Sequence, residues 1–270
     1  LGRTLRWEMF DSISRETPHL CSIEPSGPAT LAELEGAGGI PAVMQRLGSK
    51  LDLDCVTVTG RSVGENVASA EVFDEEVIRS VDAPVHPYGG IAVLQGSLAP
   101  TGAVIKQVAV DESLWKFEGP ARVFDSEEEA SEAVFAQGIE AGDVVVIRYE
   151  GPKGGPGMRE MQMFRALLKF GGLDNQVYLI TDGRFSGYTG GACIGYLSPE
   201  AAEGGPLALI RDGDIIAIDV EARRLDVKLS DEELEQRAAE WKRPPPRVTS
   251  GYLARYAERA SSAATGAIVR

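Results

Sequence analysis

Apolar positions along this chain come in short bursts rather than long stripes. Between Leu51 and about Ser230, β-branched runs recur at 56–59, 91–94, 103–110, 144–149, 177–181 and 215–220, separated by Gly, Pro and Asp. Runs of this length and composition predict strands. Helices are fewer. Ser126-Glu127-Glu128-Glu129 and Ser230-Asp231-Glu232-Glu233 both fit a capping box, in which Ser and the third-following Glu satisfy each other's free amides. Further helices are expected at 30–34, over 158–170 and at the end over 252–261. The intervening Lys242-Arg243-Pro244-Pro245-Pro246-Arg247 must be extended, because each Pro disfavours helix at the residue before it. Strands that outnumber helices without regular alternation predict an α+β fold, a β-rich barrel or sandwich with peripheral helices, over a doubly wound parallel sheet.

Residues 1–48 differ in texture, with turn signals at Thr17-Pro18 and Glu24-Pro25-Ser26-Gly27-Pro28 and a glycine cluster at Gly36-Ala37-Gly38-Gly39. That piece is too short to bury a core alone, so the expected division is 1–48 and 49–270. No internal repeat is present in the sequence.

Composition narrows the function classes. With 43% hydrophobic and 25% charged residues in 270, the chain is a folded globular type. A net charge of −14 without clustered Lys and Arg argues against nucleic acid as a partner. Apolar runs such as 144–147 are far below the roughly 18 residues of a membrane helix, so no membrane association is expected. The first residues lack the basic and apolar segments of a signal peptide, and the chain opens on Leu1, so this start need not be the natural one. Three cysteines, Cys21, Cys55 and Cys193, show no CxxC spacing. They read as small core residues in a reducing cytoplasmic setting rather than disulfide partners or zinc ligands.

Two glycine-rich segments carry the candidate chemistry. Gly151-Pro152-Lys153-Gly154-Gly155-Pro156-Gly157-Met158-Arg159-Glu160 follows a strand and precedes a helix, an arrangement that offers free amides to an anion. It lacks the Walker and dinucleotide spacings, so a carboxylate or metal-bound anion fits better than a nucleotide; a plain surface loop is the alternative. Thr181-Asp182-Gly183-Arg184-Phe185-Ser186-Gly187 follows another strand and presents Ser186 at its carboxyl end, but not in a hydrolase elbow. The two histidines, His19 and His86, stand beside prolines and read as turn or surface residues, which leaves Ser186 without a triad. Ser113-Leu114-Trp115-Lys116 matches Ser-x-x-Lys by spelling only, since its companion motifs are missing. Spacing alone thus reaches an anion-handling site and names no reaction.

Taken together, Thr17-Pro18-His19-Leu20 with Pro25-Ser26-Gly27, Ala37-Gly38-Gly39-Ile40-Pro41, Gly89-Gly90-Ile91-Ala92-Val93-Leu94, Leu98-Ala99-Pro100-Thr101-Gly102, the two segments above, Ser198-Pro199-Glu200-Ala201-Ala202 and Gly251-Tyr252-Leu253 occur in the order seen in the dihydroxyacid and phosphogluconate dehydratases. The chain resembles that family of iron-sulfur hydro-lyases along essentially its whole length, and is most like the dihydroxyacid branch. The resemblance implies the carboxyl-terminal part of a protein about twice as long, with 1–48 the end of the amino-terminal dehydratase domain and 49–270 a swivelling β/β/α domain similar to the aconitase small subunit. It implies a small dihydroxy acid as substrate, Mg2+ held by Glu160, and Ser186 as the base. Substrate contacts are implied at Gly157, Met158, Arg184 and Gly187, and an iron-sulfur cluster on cysteines of the absent half. A homodimer is implied for the full-length protein.

Tyr188 and Tyr196 depart from the family pattern, which usually has a small residue and often a His there, so substrate identity is the least fixed inference. Aldonate or phosphogluconate dehydration, or a binding module without catalysis, are the alternatives. Two expectations follow: this piece alone is inert, and Glu160 and Ser186 meet at strand carboxyl ends on one face of the β core.

Overall fold

The structure, a computed structural model, describes residues 5–269. The chain divides into two compact units, one made of residues up to Phe10 together with those from Ile91 onward, the other of Asp11–Gly90. Helix α1 (Trp7–Glu16) begins in the first and ends in the second.

In the smaller unit, α2 (Leu31–Gly36), α3 (Gly39–Leu47) and α4 (Val63–Val67) surround a core of Leu34, Ala37, Ala42 and Ile78. Complete capping boxes form here, at Thr30 with Glu33 and at Ser62 with Glu65. The strand expected at 56–59 does not form. Val56 makes one isolated bridge to Ser62, and Val58 is fully exposed, so its β-branched residues have no neighbouring strand to pack on. Cys55, expected in a core, is exposed for the same reason, whereas Cys21 packs beside the small core. His19 and His86 are half-buried and paired, Nδ1 to Nδ1 at 2.9 Å with stacked rings, rather than separate surface residues. Burial pulls His19 below the usual imidazole value.

The larger unit is built on β1 (Ala92–Leu94), β2 (Gly102–Ile105), β3 (Lys116–Phe124), β4 (Val144–Ile147), β5 (Tyr178–Thr181), β6 (Cys193–Ser198), β7 (Ile215–Asp219) and β8 (Arg224–Val227). They form one mixed sheet in the order β1-β2-β6-β5-β4-β3-β7-β8. The pairs β3–β4, β4–β5 and β5–β6 are parallel, and the rest antiparallel. The two ends of the sheet meet: Gln95 bridges Arg224, the Leu225 amide donates to Gln95 O at 3.1 Å, and the Ser97 amide donates to Asp226 Oδ1 at 2.8 Å. The sheet is therefore nearly closed into a barrel, the expected α+β class, with its two edges joined by these few contacts.

Helices α5 (Glu127–Phe135) and α6 (Gln162–Phe170) connect β3 to β4 and β4 to β5. The parallel middle thus does contain strand–helix alternation, contrary to expectation, because β3 was hidden. Its sequence KFEGPARVF holds Gly119, where a Cβ would lie 2.2 Å from the Gly142 carbonyl, and Pro120. Strands β6 and β8 were missed as well, the first broken by Gly195 and the second by Arg224 and Asp226. Both α5 and α7 (Asp231–Glu240) begin at the expected serines, but only half of each capping box forms. Ser126 and Ser230 accept the Glu129 and Glu233 amides, while those carboxylates turn to the Asp125 amide and to Arg237. The proline run stays outside helix and leads to α8 (Gly251–Arg259).

Alternation along the central strands sorts the core. Val144, Val146, Tyr178, Ile180 and Ile194 join one cluster, with Ile216, Ile218 and Leu225. Val145, Ile147, Leu179 and Cys193 join another against Phe164, Leu168 and Ala130 of α5 and α6. Both faces are covered, so β4 is wholly apolar, β5 is apolar up to its last residue Thr181, and both are buried; each large apolar side chain so placed contributes about 1.5–3 kcal/mol.

Candidate functional site

Because β4 and β5 are parallel neighbours, with Ile147 opposite Thr181, their carboxyl ends lie side by side and the loops that follow share one rim. The first loop runs over 148–161 into α6, and the second over 182–192 into β6. Carboxyl ends of parallel strands are where open α/β sheets present their ligands.

The base of this rim is tied by buried carboxylates. Asp182, fully buried, accepts the amides of Glu150 and Ala201 at 2.9 Å and of Tyr149 at 3.2 Å. Burial pushes its carboxyl up to about 6, against the lowering effect of those amides. Glu200 accepts the amides of Lys153 at 3.0 Å and Gly154 at 2.9 Å. Burial, and then the Asp182 charge, push it up to about 7. The glycine-rich loop does cradle an anion, but the anion is the chain's own. The helix also starts later than expected, at Gln162, because Met158 is in the left-handed region (φ 55°) and the Met161 amide is bonded to Arg184 O. These two facts correct the expectation that free amides at a helix start at 158 receive a substrate or metal-bound anion.

Glu160 and Ser186 are brought together. A parallel bridge sets Glu160 against Arg184, through Arg184 N–H to Arg159 O and Met161 N–H to Arg184 O, both at 3.0 Å. Arg159 anchors the same stretch by ion pairs to Glu127 and Glu128 at the start of α5. Two residues beyond Arg184, the Ser186 amide donates to Glu160 Oε1 at 3.1 Å. Thr189, buried, donates its hydroxyl to the same oxygen at 3.2 Å and accepts the Ser186 amide at 3.1 Å. Ser186 Oγ is half-buried and accepts the Tyr188 amide at 3.1 Å.

Of the other candidate residues, Gly157 and Gly187 are exposed on the two loops, with Gly157 at φ +97°. Met158 is buried, and its carbonyl accepts Arg184 Nε at 2.9 Å. Tyr196 braces the second loop, its hydroxyl donating to Phe185 O at 3.1 Å and its ring edge-on to Phe185. Tyr188 is 63% exposed beside Ser186. Sequence reasoning missed Thr189 and Lys106. Thr189 had the signal of lying on the same loop, but Lys106 is 81 positions from Gly187, whose carbonyl accepts its Nζ at 2.6 Å.

The residues present fit a hard dication in part. Both described hydrogen bonds to Glu160 fall on Oε1, leaving Oε2 for a cation, with Ser186 Oγ and Thr189 Oγ1 as further oxygens nearby. Among the described residues, however, no group of three or more His, Cys, Asp or Glu could hold a metal, so Glu160 stands here without a second carboxylate or imidazole ligand. An iron-sulfur cluster does not fit the residues present. Cys193 lies inside β6 with its thiol pushed up to about 12 by burial, Cys55 is exposed and Cys21 packs in the smaller unit. A cavity of about 950 Å³ is lined by Lys153 and Gly154 of the glycine-rich loop, the proline run and α8, and neither Glu160 nor Ser186 lines it.

Sequence comparisons connect this geometry to known proteins. The dihydroxy-acid/6-phosphogluconate dehydratase N-terminal profile matches residues 1–66, and the C-terminal profile residues 76–267. A dihydroxy-acid dehydratase of Acetivibrio thermocellus is 54% identical over 271 residues, covering 100% of this chain and 49% of that protein. Those of Methanosarcina barkeri and Ignicoccus hospitalis are 53% and 54% identical, covering 99% and 98% of this chain and 49% of each protein. The chain spans about half the length of the curated relatives it matches. Among the described residues, no helix is long and apolar enough to cross a membrane. On the C-terminal profile alone, which takes in β1 through α8, this chain belongs to the dihydroxy-acid/6-phosphogluconate dehydratase family.

Proposed function

We propose that this chain is the carboxyl-terminal part of a cytoplasmic, homodimeric hydro-lyase that dehydrates a 2,3-dihydroxy acid to a 2-keto acid. On this reading residues 1–48 close an amino-terminal dehydratase domain and 49–270 form the carboxyl-terminal one. The observation that supports it most is the 3.1 Å bond from the Ser186 amide to Glu160, which joins a candidate base to a hard oxygen ligand. The relatives carry the name dihydroxy-acid dehydratase, which favours that substrate class over sugar acids.

The reaction removes a proton from the carbon beside the carboxylate and hydroxide from the next carbon, leaving an enol that becomes the 2-keto acid. Glu160 would hold Mg2+, which supplies Lewis-acid polarisation of the substrate carboxylate and 2-hydroxyl. Ser186 Oγ, held as the alkoxide, takes the proton and becomes the neutral hydroxyl. A serine hydroxyl is a poor base at its ordinary proton affinity, so it needs donors and positive charge around its oxygen. The Tyr188 amide already donates to it. Glu160 also holds the Ser186 main chain in place, so the loop that carries the base and the loop that carries the ligand move as one. Gly157, Met158, Arg184 and Gly187 of the two loops would contact the substrate on this reading, and the exposed Tyr188 next to them would limit the size of its tail. The cluster named in the resemblance belongs to the half of the protein outside this chain.

The test uses the complete enzyme, with exchange of the substrate's alpha proton into deuterated solvent measured beside turnover and metal content. Ser186→Ala should abolish exchange while retaining magnesium, and Glu160→Gln should lower magnesium content. Near-normal turnover of Ser186→Ala would assign the base to another residue. The 270-residue chain alone should form no 2-keto acid from 2,3-dihydroxyisovalerate in the presence of magnesium.

A further inference from the structure

The peptide unit between Gly187 and Tyr188 is bonded at both ends. Its N–H donates to Ser186 Oγ at 3.1 Å, and its carbonyl oxygen accepts Lys106 Nζ at 2.6 Å. In a trans peptide the N–H and C=O point in opposite directions, so Lys106 and Ser186 face each other across one amide. Lys106 reaches this position because it follows Ile105, the last residue of β2, which pairs with Ile194 of β6, the strand the second loop runs into. The lysine is half-buried, and burial pulls its ammonium below the usual value. The ionisable groups sharing this neighbourhood are Cys193 and Tyr196 of β6, Arg165 of α6, and Glu160 and Arg184 of the two loops.

A hydrogen bond from a cation to a carbonyl polarises the amide and strengthens what its N–H donates, and the effect is larger out of water. Gly187 is exposed and its loop crosses from β5 to β6 without a helix; the Thr189 amide on the Ser186 carbonyl closes a turn around that peptide, a turn compatible with either orientation of its central amide, and the Lys106 bond holds the one observed. A half-turn of the plane would present the carbonyl, not the N–H, to Ser186 Oγ and repel negative charge there.

We propose that Lys106 is a positioning residue of the dehydratase: through the Gly187–Tyr188 peptide it fixes and strengthens the hydrogen-bond donor on Ser186 Oγ. The proposal rests on the reading of Ser186 as the base. It makes the carboxyl end of β2, a strand distant in sequence from both loops, a third support of the site.

The experiment compares Lys106→Met and Lys106→Arg with the wild-type complete enzyme, and follows the Tyr188 amide proton and the Lys106 ammonium by NMR in the present chain. Lys106→Met should move the Tyr188 amide proton upfield and lower kcat on the order of 10- to 100-fold with KM nearly unchanged, less than deleting a donor outright. Lys106→Arg should restore most of both. In the wild-type chain the Lys106 ammonium should give a resonance protected from solvent exchange, and this readout stands even if Lys106→Met does not fold. An unprotected ammonium, an unmoved Tyr188 resonance in folded Lys106→Met, or a loss carried by KM would overturn the proposal. If the wild-type enzyme dehydrated no dihydroxy acid, the reading of Ser186 would fail, while the two NMR readouts would still decide whether Lys106 holds this peptide.

Discussion

The Glu200 carboxylate sits 2.9 Å from the Gly154 amide nitrogen and also accepts the Lys153 amide, so the glycine-rich loop is shaped around a side chain that arrives from the far end of β6. A Cβ at Gly154 would lie 2.8 Å from the Tyr149 main chain, which is why the loop can fold back so tightly only with glycine there. The amino-terminal part of the loop is thereby committed to structure, while Glu160 at its carboxyl end turns to the Ser186 loop.

Stability should fall as pH rises. Asp182 goes from an ordinary 3.8 up to about 6 and Glu200 from 4.5 up to about 7, both mainly through burial. The folded state therefore binds more protons than the unfolded state between about pH 4 and 7, and the unfolding free energy decreases across that window. Together the two groups should cost on the order of 5 kcal/mol by pH 8 relative to pH 4.5. Urea midpoints at several pH values check this. Glu200→Gln should flatten the slope, and an unchanged slope in that variant would refute the burial argument.

Closure of the barrel depends on Gly96, where an added Cβ would lie 2.1 Å from the Leu225 carbonyl across the β1–β8 seam. Gly96→Ala should destabilise by about 2–4 kcal/mol. At Gly36, which ends α2 with open space around it, the same substitution should be neutral or slightly stabilising. Denaturant unfolding of the two variants is the measurement; equal effects would mean the seam is not closed.

Helix α6 should be asymmetric in its tolerance. Phe164 is fully buried against β4 and β5, and Phe170 is 92% exposed. Phe164→Ala should cost about 3–5 kcal/mol. Phe170→Ala should stay within about 0.5 kcal/mol. Comparable losses would place the helix face wrongly.

The cysteines should label in a fixed order with a thiol reagent under native conditions. Cys55, exposed, reacts first, Cys21 more slowly, and Cys193 only after unfolding, since its thiol is buried and pushed up to about 12. Mass spectrometry after timed alkylation reads the order, and early labelling of Cys193 would contradict its place in β6.

Much of the barrel could be read from the chain because strands buried on both faces are uniformly apolar. Residues 144–147 and 177–180 announce themselves in that way. The strand at 116–124 could not be read, since its glycine and proline are local signals against a strand and only the neighbouring Gly142 carbonyl and β7 make them acceptable. The opposite error arose at 56–59, where β-branched residues had the right local preference and no partner strand to use it. Pairing is a property of two segments, and one segment's residues carry no record of the other.

The site divides along the same line. The two glycine-rich segments could be picked out because such turns after apolar runs are local features, and the family resemblance then singled out Glu160 and Ser186 within them. Which amides were already occupied, by Glu200 and Asp182, was decided by the parallel pairing of β4, β5 and β6. The same pairing set Thr189 on Glu160 and, by way of β2 against β6, brought Lys106 to the Gly187 carbonyl. Sequence determined which groups are available, since side-chain chemistry is local; the tertiary structure alone decided which of them meet, since hydrogen bonds require contact within about 3 Å whatever the separation along the chain.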